Sequence, residues 1–124
     1  MKEILIVDDN AAFRKMLKRI LLSKFPSMLI REATGGNKAI KETEKRAFDL
    51  IFMDVRLHGE NGFQLTRKIK AAYPGIIIVM ITIYDSPEYR EAAYEAGADF
   101  FLSKKTSTAT EILDKVESIF TGRA

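Results

Sequence analysis

The chain has no cysteine and a single histidine in its 124 residues. The first absence excludes a disulfide framework and any thiolate metal site, and a cytoplasmic protein is the simplest expectation. A long apolar run is also missing. The longest, Ile76 to Ile81, has six residues, whereas a helix crossing a bilayer needs about 20. Met1-Lys2-Glu3 leads into only four apolar residues before two aspartates, too short a stretch for a signal peptide. Neither sign of charge dominates: 20 Lys and Arg against 17 Asp and Glu leave a net of +3. The basic residues are spread over helical segments (Arg14, Lys15, Lys18, Arg19; Lys38, Lys41, Lys45; Arg67, Lys68, Lys70) without a block of like charge or interleaved aromatics. Solvated helix faces are the expectation, with neither direct nucleic-acid binding nor a membrane partner. There is no internal repeat, linker or low-complexity tract, and the length suits one domain over 1–124 with a real core.

What is present is a set of short apolar runs with polar endings. Ile4-Leu5-Ile6-Val7 stops at Asp8-Asp9, and Leu50-Ile51-Phe52-Met53 stops at Asp54. Ile76 to Ile81 stops at Thr82, and Phe100-Phe101-Leu102-Ser103 stops at Lys104. Such runs, separated by helix-like stretches, read as buried parallel strands. The spacing predicts strands over 3–7, 28–33, 49–53, 76–81 and 99–103. Helix 1 carries Phe13, Met16, Leu17, Ile20 and Leu21 on one face. Helix 2 follows Gly35-Gly36 with Ala39, Ile40 and Thr43 inward, and helix 3 presents Leu65, Ile69 and Ala72. Ser86-Pro87 opens helix 4 and Gly97 ends it. A Thr108–Glu111 capping box opens helix 5, which turns Ile112, Val116, Ile119 and Phe120 inward.

Five βα units with short connections demand right-handed crossovers and helices on both faces of a parallel sheet. The α/β class is therefore a flavodoxin-like (βα)5 three-layer sandwich of strand order 2-1-3-4-5, whose switch point lies between strands 1 and 3. Ligands bind beyond the carboxyl ends of such strands. Asp8, Asp9, Asp54, Thr82 and Lys104 should meet there. Packed carboxylates repel by several kcal/mol in a low-dielectric crevice, so a fold keeps them when a cation uses them. An all-oxygen set without His or Cys suits Mg2+. Asp8 and Asp9 would hold the metal, leaving Asp54 as the nucleophile, since carboxylates form acyl phosphates. The Lys104 ammonium and the Thr82 hydroxyl could each meet a phosphoryl oxygen. Each residue has a structural alternative: Asp9 or Asn10 capping helix 1, Asp54 opening a turn, Thr82 bonded to backbone, Lys104 solvated. Their joint placement on four strand ends favours the site.

These motifs resemble the receiver domains of bacterial two-component response regulators. The resemblance runs from about residue 3 to 121, on Ile6-Val7-Asp8-Asp9, Asp49-Leu50-Ile51-Phe52-Met53-Asp54, Met80-Ile81-Thr82 and Gly97-Ala98-Asp99-Phe100-Phe101-Leu102-Ser103-Lys104. It implies that Asp54 accepts a phosphoryl group from the phosphohistidine of a kinase or phosphotransfer protein. It implies Mg2+ held by Asp9, Asp54 and the Arg56 backbone carbonyl, with Asp8 supporting, and a switch pair of Thr82 and Phe101. The face formed by helix 4, strand 5 and helix 5 would then meet a downstream output domain or protein, or a second copy in a homodimer.

The sequence also departs from the family's usual pattern. His58 stands where proline is common, with Glu60-Asn61 less usual before Gly62, so the stiffness of that loop becomes a question. Phe101 lacks the hydroxyl of the commoner Tyr. Lys105 replaces a usual Pro, so no cis peptide is expected after Lys104; the stretch Lys104-Lys105-Thr106-Ser107 looks like receivers attached to helix-turn-helix output domains. Arg56 and Tyr84 occupy positions that in the family tune phosphate lifetime. Two other readings compete. A phosphoesterase passing through an aspartyl phosphate would need a second acid near Asp54 and a substrate cap, where the sequence has Val55 and Arg56. A phosphorylation-independent docking module would not need the five site residues. The expectation is a switch and not an enzyme acting on an external metabolite.

Overall fold

The computed structural model describes residues 2–122. Elements alternate in the order β1 (Glu3–Val7), α1 (Ala11–Lys24), β2 (Leu29–Ala33), α2 (Gly36–Lys45), β3 (Leu50–Met53), α3 (Gly62–Ala72), β4 (Ile77–Thr82), α4 (Pro87–Ala96), β5 (Phe100–Ser103) and α5 (Ala109–Thr121). The five strands pair in parallel in the order β2-β1-β3-β4-β5. This is the flavodoxin-like doubly wound sheet that the apolar runs predict.

Period-two alternation divides the apolar runs between two faces of the sheet. Ile4, Ile6, Leu50, Phe52, Val79 and Ile81 pack with Leu17 and Leu21 of α1 and Ile112 and Val116 of α5. Leu5, Val7, Ile51, Met53, Ile78 and Met80 pack on the other face with Ala39, Leu65, Ile69 and Ala93, from α2, α3 and α4. Both faces are therefore covered, which is why these strands read as unbroken apolar runs.

Strand boundaries differ from the expected ones by a residue. Asp49 and Asp99 fall just before β3 and β5, where their carboxylates bond to neighbouring strands. Asp49 accepts the Glu3 N–H at 2.8 Å, and Asp99 accepts the Ile78 N–H at 2.8 Å and the Lys70 ammonium at 3.0 Å. β2 starts at Leu29, not Met28, and Thr82 closes β4 instead of following it. Two residues expected to face inward do not: Met16 is 43% exposed, and Ala72 is exposed in the last turn of α3. Ser86 holds the N-cap position of α4, yet its side chain makes no cap hydrogen bond. Asn10, Asn61 and Thr108 do cap their helices, the last two as full capping boxes. Among the described residues there is no cis peptide, and no helix is long and apolar enough to cross a membrane.

Candidate functional site

β1 and β3 are adjacent, with Val7 opposite Met53, so Asp8 and Asp54 leave the sheet side by side. The Asp54 N–H donates to the Val7 carbonyl and the Asp8 N–H to Ala33, each at 3.0 Å, which fixes both exits. Carboxylate oxygens of Asp8, Asp9 and Asp54 lie within 4.8 Å of one another. Asp8 and Asp54 are buried and Asp9 is exposed at the mouth. Lys104, in the turn after β5, brings its Nζ to 2.7 Å from Asp8 Oδ2 and 3.1 Å from Asp54 Oδ2. The Lys104–Asp54 contact is a hydrogen bond. The Lys104–Asp8 contact is a close ion pair, and it is the only partner of the buried Asp8 Oδ2 among the described residues.

The electrostatics follow from this packing. Burial pushes the Asp8 carboxyl above its usual range; Lys104 and the Asn10 N–H pull it back, and the Asp54 charge pushes it further up. Burial also acts to lower the Lys104 ammonium, but Asp8 and Asp54 together overcome it and hold the group above its usual value. Lys104 thus stays charged. Three carboxylates whose oxygens converge within 4.8 Å form an all-oxygen donor set that fits a hard divalent cation.

Thr82 is fully buried, and its carbonyl accepts the Lys104 N–H at 2.9 Å, seating the lysine's backbone at the same sheet edge. Its hydroxyl accepts the Tyr84 N–H at 3.2 Å, so the bond to backbone expected of an isolated strand-end threonine is present. As an acceptor there, the hydroxyl keeps its own proton free to donate. The Arg56 guanidinium lies 5.0 Å from the centre of the Tyr84 ring. Phe101 is not at the cluster. It is buried in the core under α4, with the Arg90 guanidinium 4.8 Å from its ring centre. The cation–π contact provides a hold on the ring that the missing hydroxyl could not. His58 is an exposed loop residue.

Four supporting residues escaped the sequence reading. Arg14 donates to the Asp8 carbonyl at 2.6 Å and to Glu32 at 2.9 Å, tying β1's end to β2. Phe13 lies under Lys104, 4.1 Å from Nζ to the ring centre. Ser103 donates to Asp85 at 2.5 Å and accepts the Lys105 N–H at 3.1 Å, pinning the β4–α4 loop to β5. Gly62 enters the sequence reading only as the residue that follows Glu60-Asn61. A Cβ there would stand 1.9 Å from the Asp54 carbonyl oxygen, so only glycine lets α3 start directly against the Asp54 backbone. Its spacing after Asp54 was the one signal available.

A doubly wound sheet with a carboxylate cluster at its switch point and a lysine over it defines the class. The chain belongs to the response regulator receiver domain family, whose sequence model matches residues 4–117. It is similar to the transcriptional regulatory protein DegU of Brevibacillus brevis, 29% identical over 122 residues, covering 98% of this chain and 51% of that one. It is equally similar to the response regulator UvrY of Escherichia coli K12, 29% identical over 123 residues, covering 99% of this chain and 56% of the relative. The chain therefore spans about half the length of these curated relatives. Among solved structures, the CheY-like receiver domain protein from Methanospirillum hungatei JF-1 superposes with a TM-score of 0.89 at 28% identity, covering 99% of this chain and 96% of that one. A two-component response regulator from Clostridium difficile gives 0.91 at 26%, covering 98% and 97%.

Proposed function

We propose that Asp54 is the phosphoacceptor of a phosphorelay, loaded from the phosphohistidine of a kinase or phosphotransfer protein. The observation that carries this is the convergence of Asp8, Asp9 and Asp54 oxygens within 4.8 Å under one lysine. An Asp54 carboxylate oxygen attacks phosphorus; the new O–P bond forms as the N–P bond of the donor breaks, and the imidazole nitrogen keeps the electron pair. Asp8, Asp9, Asp54 and the Arg56 carbonyl would hold Mg2+, which when bound offsets charge on the phosphoryl oxygens. Lys104, freed from part of its hold on Asp54, turns to a phosphoryl oxygen, and the Thr82 hydroxyl donates to another. The movement of Thr82 is felt at Phe101 and hence on the face of α4, β5 and α5. There the chain meets an output domain, a downstream protein or a second copy. Residues 1–124 act as one receiver unit in the cytoplasm, catalysing no reaction but their own phosphoryl transfer.

The test is intact-mass spectrometry after incubation with Mg2+ and a small-molecule phosphodonor. One phosphoryl group should add to wild type, disappear on chelation and be missing in Asp54→Asn. A folded wild type that takes no phosphoryl group from this donor or from a kinase's phosphohistidine would support the docking-module reading instead.

A further inference from the structure

The loop from β3 to α3 leaves Asp54 and is fastened at its base, where the Gly62 N–H donates to the Val55 carbonyl at 2.7 Å. Its middle runs against a second element. His58 pairs with Gly35, in the turn before α2, as an isolated parallel bridge. Two residues on, the Glu60 side chain lies across Gly36 and its carboxylate pairs with Lys68 at 2.9 Å. The Gly35 backbone is extended, at φ −172°, a conformation open to any residue. Local conformation therefore does not demand glycine. The loop does: a Cβ at residue 35 would stand 2.7 Å from the His58 carbonyl oxygen, and backbone yields to such contact far less readily than a side-chain tip.

We propose that Gly35 is a positioning residue for metal binding: its missing side chain lets the turn before α2 clasp the β3–α3 loop at His58 and so fix the Arg56 carbonyl. This rests on the proposed role of Arg56 and the three aspartates. Arg56 lies two residues before His58, so a displacement of the His58 carbonyl has only two residues of backbone to cross before it reaches the Arg56 carbonyl. Relieving the contact needs a shift of about half an ångström, and Mg2+ accepts little departure from octahedral geometry at about 2.1 Å. Glu60 acts on the same loop as a second, weaker hold. Neither residue is itself a ligand, and the contact at His58 is with its backbone.

Calorimetric titration of Mg2+ into the full chain tests this, with urea unfolding of each variant alongside. Gly35→Ala should weaken Mg2+ binding roughly tenfold, the scale for groups that orient a ligand, while saturating Mg2+ restores phosphoryl addition to the wild-type extent. Glu60→Ala should weaken binding in the same direction and by less than Gly35→Ala does. Gly75→Ala, where a Cβ meets nothing within 4 Å, should bind as wild type does. Wild-type affinity in both Gly35→Ala and Glu60→Ala would overturn the proposal, and Glu60→Ala alone decides it if Gly35→Ala does not fold. A wild type that binds no Mg2+ would instead overturn the reading of the aspartate cluster.

Discussion

Replacing Lys104 by Met removes the cation that two buried carboxylates share while leaving the methylene stem over Phe13 in place. At the observed 2.7 and 3.1 Å, each attraction is worth on the order of 5 kcal/mol at an effective dielectric of about 20. Burying the ammonium takes back much of that, and breaking one side of a buried pair costs about 3–5 kcal/mol in measured cases. The crevice is open on the side of the exposed Asp9, so the lower end applies. Lys104→Met should lose about 3 kcal/mol without metal, a fall of roughly 10 °C in midpoint for a domain of this size. Mg2+ should then stabilise the variant more than wild type, because metal and ammonium neutralise the same acids. The pH dependence has a definite sign. Lys104 is held above its usual value, so its contribution is complete below the ordinary lysine range and is lost only as pH rises through the higher folded value. Asp8 is also raised, so the folded form takes up its proton first and stability gains as pH falls toward the unfolded value. Without Lys104 the Asp8 shift grows, and the gap between variant and wild type should narrow from pH 7 to pH 5. Urea titrations at both pH values, with and without Mg2+, read all of this. A metal-free variant as stable as wild type, or one gaining no more from Mg2+, refutes the charge reasoning.

Gly62→Ala should destabilise by about 3 kcal/mol, the upper range for overpacking, because the Asp54 carbonyl oxygen stands 1.9 Å from the new Cβ. Urea unfolding measures the loss, and a variant within about 0.5 kcal/mol of wild type would mean that α3 can move off the Asp54 backbone freely. Glu42 lies on the buried face of α2 and accepts a hydrogen bond from Arg31 of β2 at 3.1 Å, and this contact holds its carboxyl below the usual 4.5. Its stabilising contribution is therefore present above that value and is lost as pH falls through the lower folded one. Glu42→Gln should cost about 1 kcal/mol at pH 7, with the difference closing in acid, as followed by thermal melts across the range.

The sheet and the acid cluster were legible for the same reason. Strands buried on both faces show as unbroken apolar runs, and a polar residue ending such a run must emerge at the carboxyl edge. Asp8, Asp54, Thr82 and Lys104 could therefore be placed on one rim from the sequence, and the structure brings the first, second and fourth into contact there. What was illegible depends on distance across the fold. Nothing near Arg14 in sequence reveals that its guanidinium reaches Glu32 and the Asp8 carbonyl. Met16 fits the apolar stripe of α1 by spacing alone; its exposure depends on how far the sheet extends beneath that helix, a tertiary fact. The question raised by His58 in place of proline also turns on a tertiary contact, since the turn before α2 runs against the loop at His58.

The order in which the site's charges arrive along the chain constrains the fold itself. Asp8, Asp9 and Asp54 come from β1 and β3, which pair directly, so a partly formed sheet already crowds three acids. The compensating ammonium comes from the turn after β5, at the far edge, and reaches them only when β4 and β5 are in place. Lys104 is seated by its N–H on Thr82, and the preceding Ser103 binds Asp85 and Lys105. The last strand therefore supplies not merely an edge but the charge that makes the first and third strands' ends tolerable together. An event that changed the charge on Asp54 would change the pull on Lys104, which is bonded through its N–H to Thr82 and adjoins Ser103, so β5 and the loop leading into α4 are the elements in line to feel it.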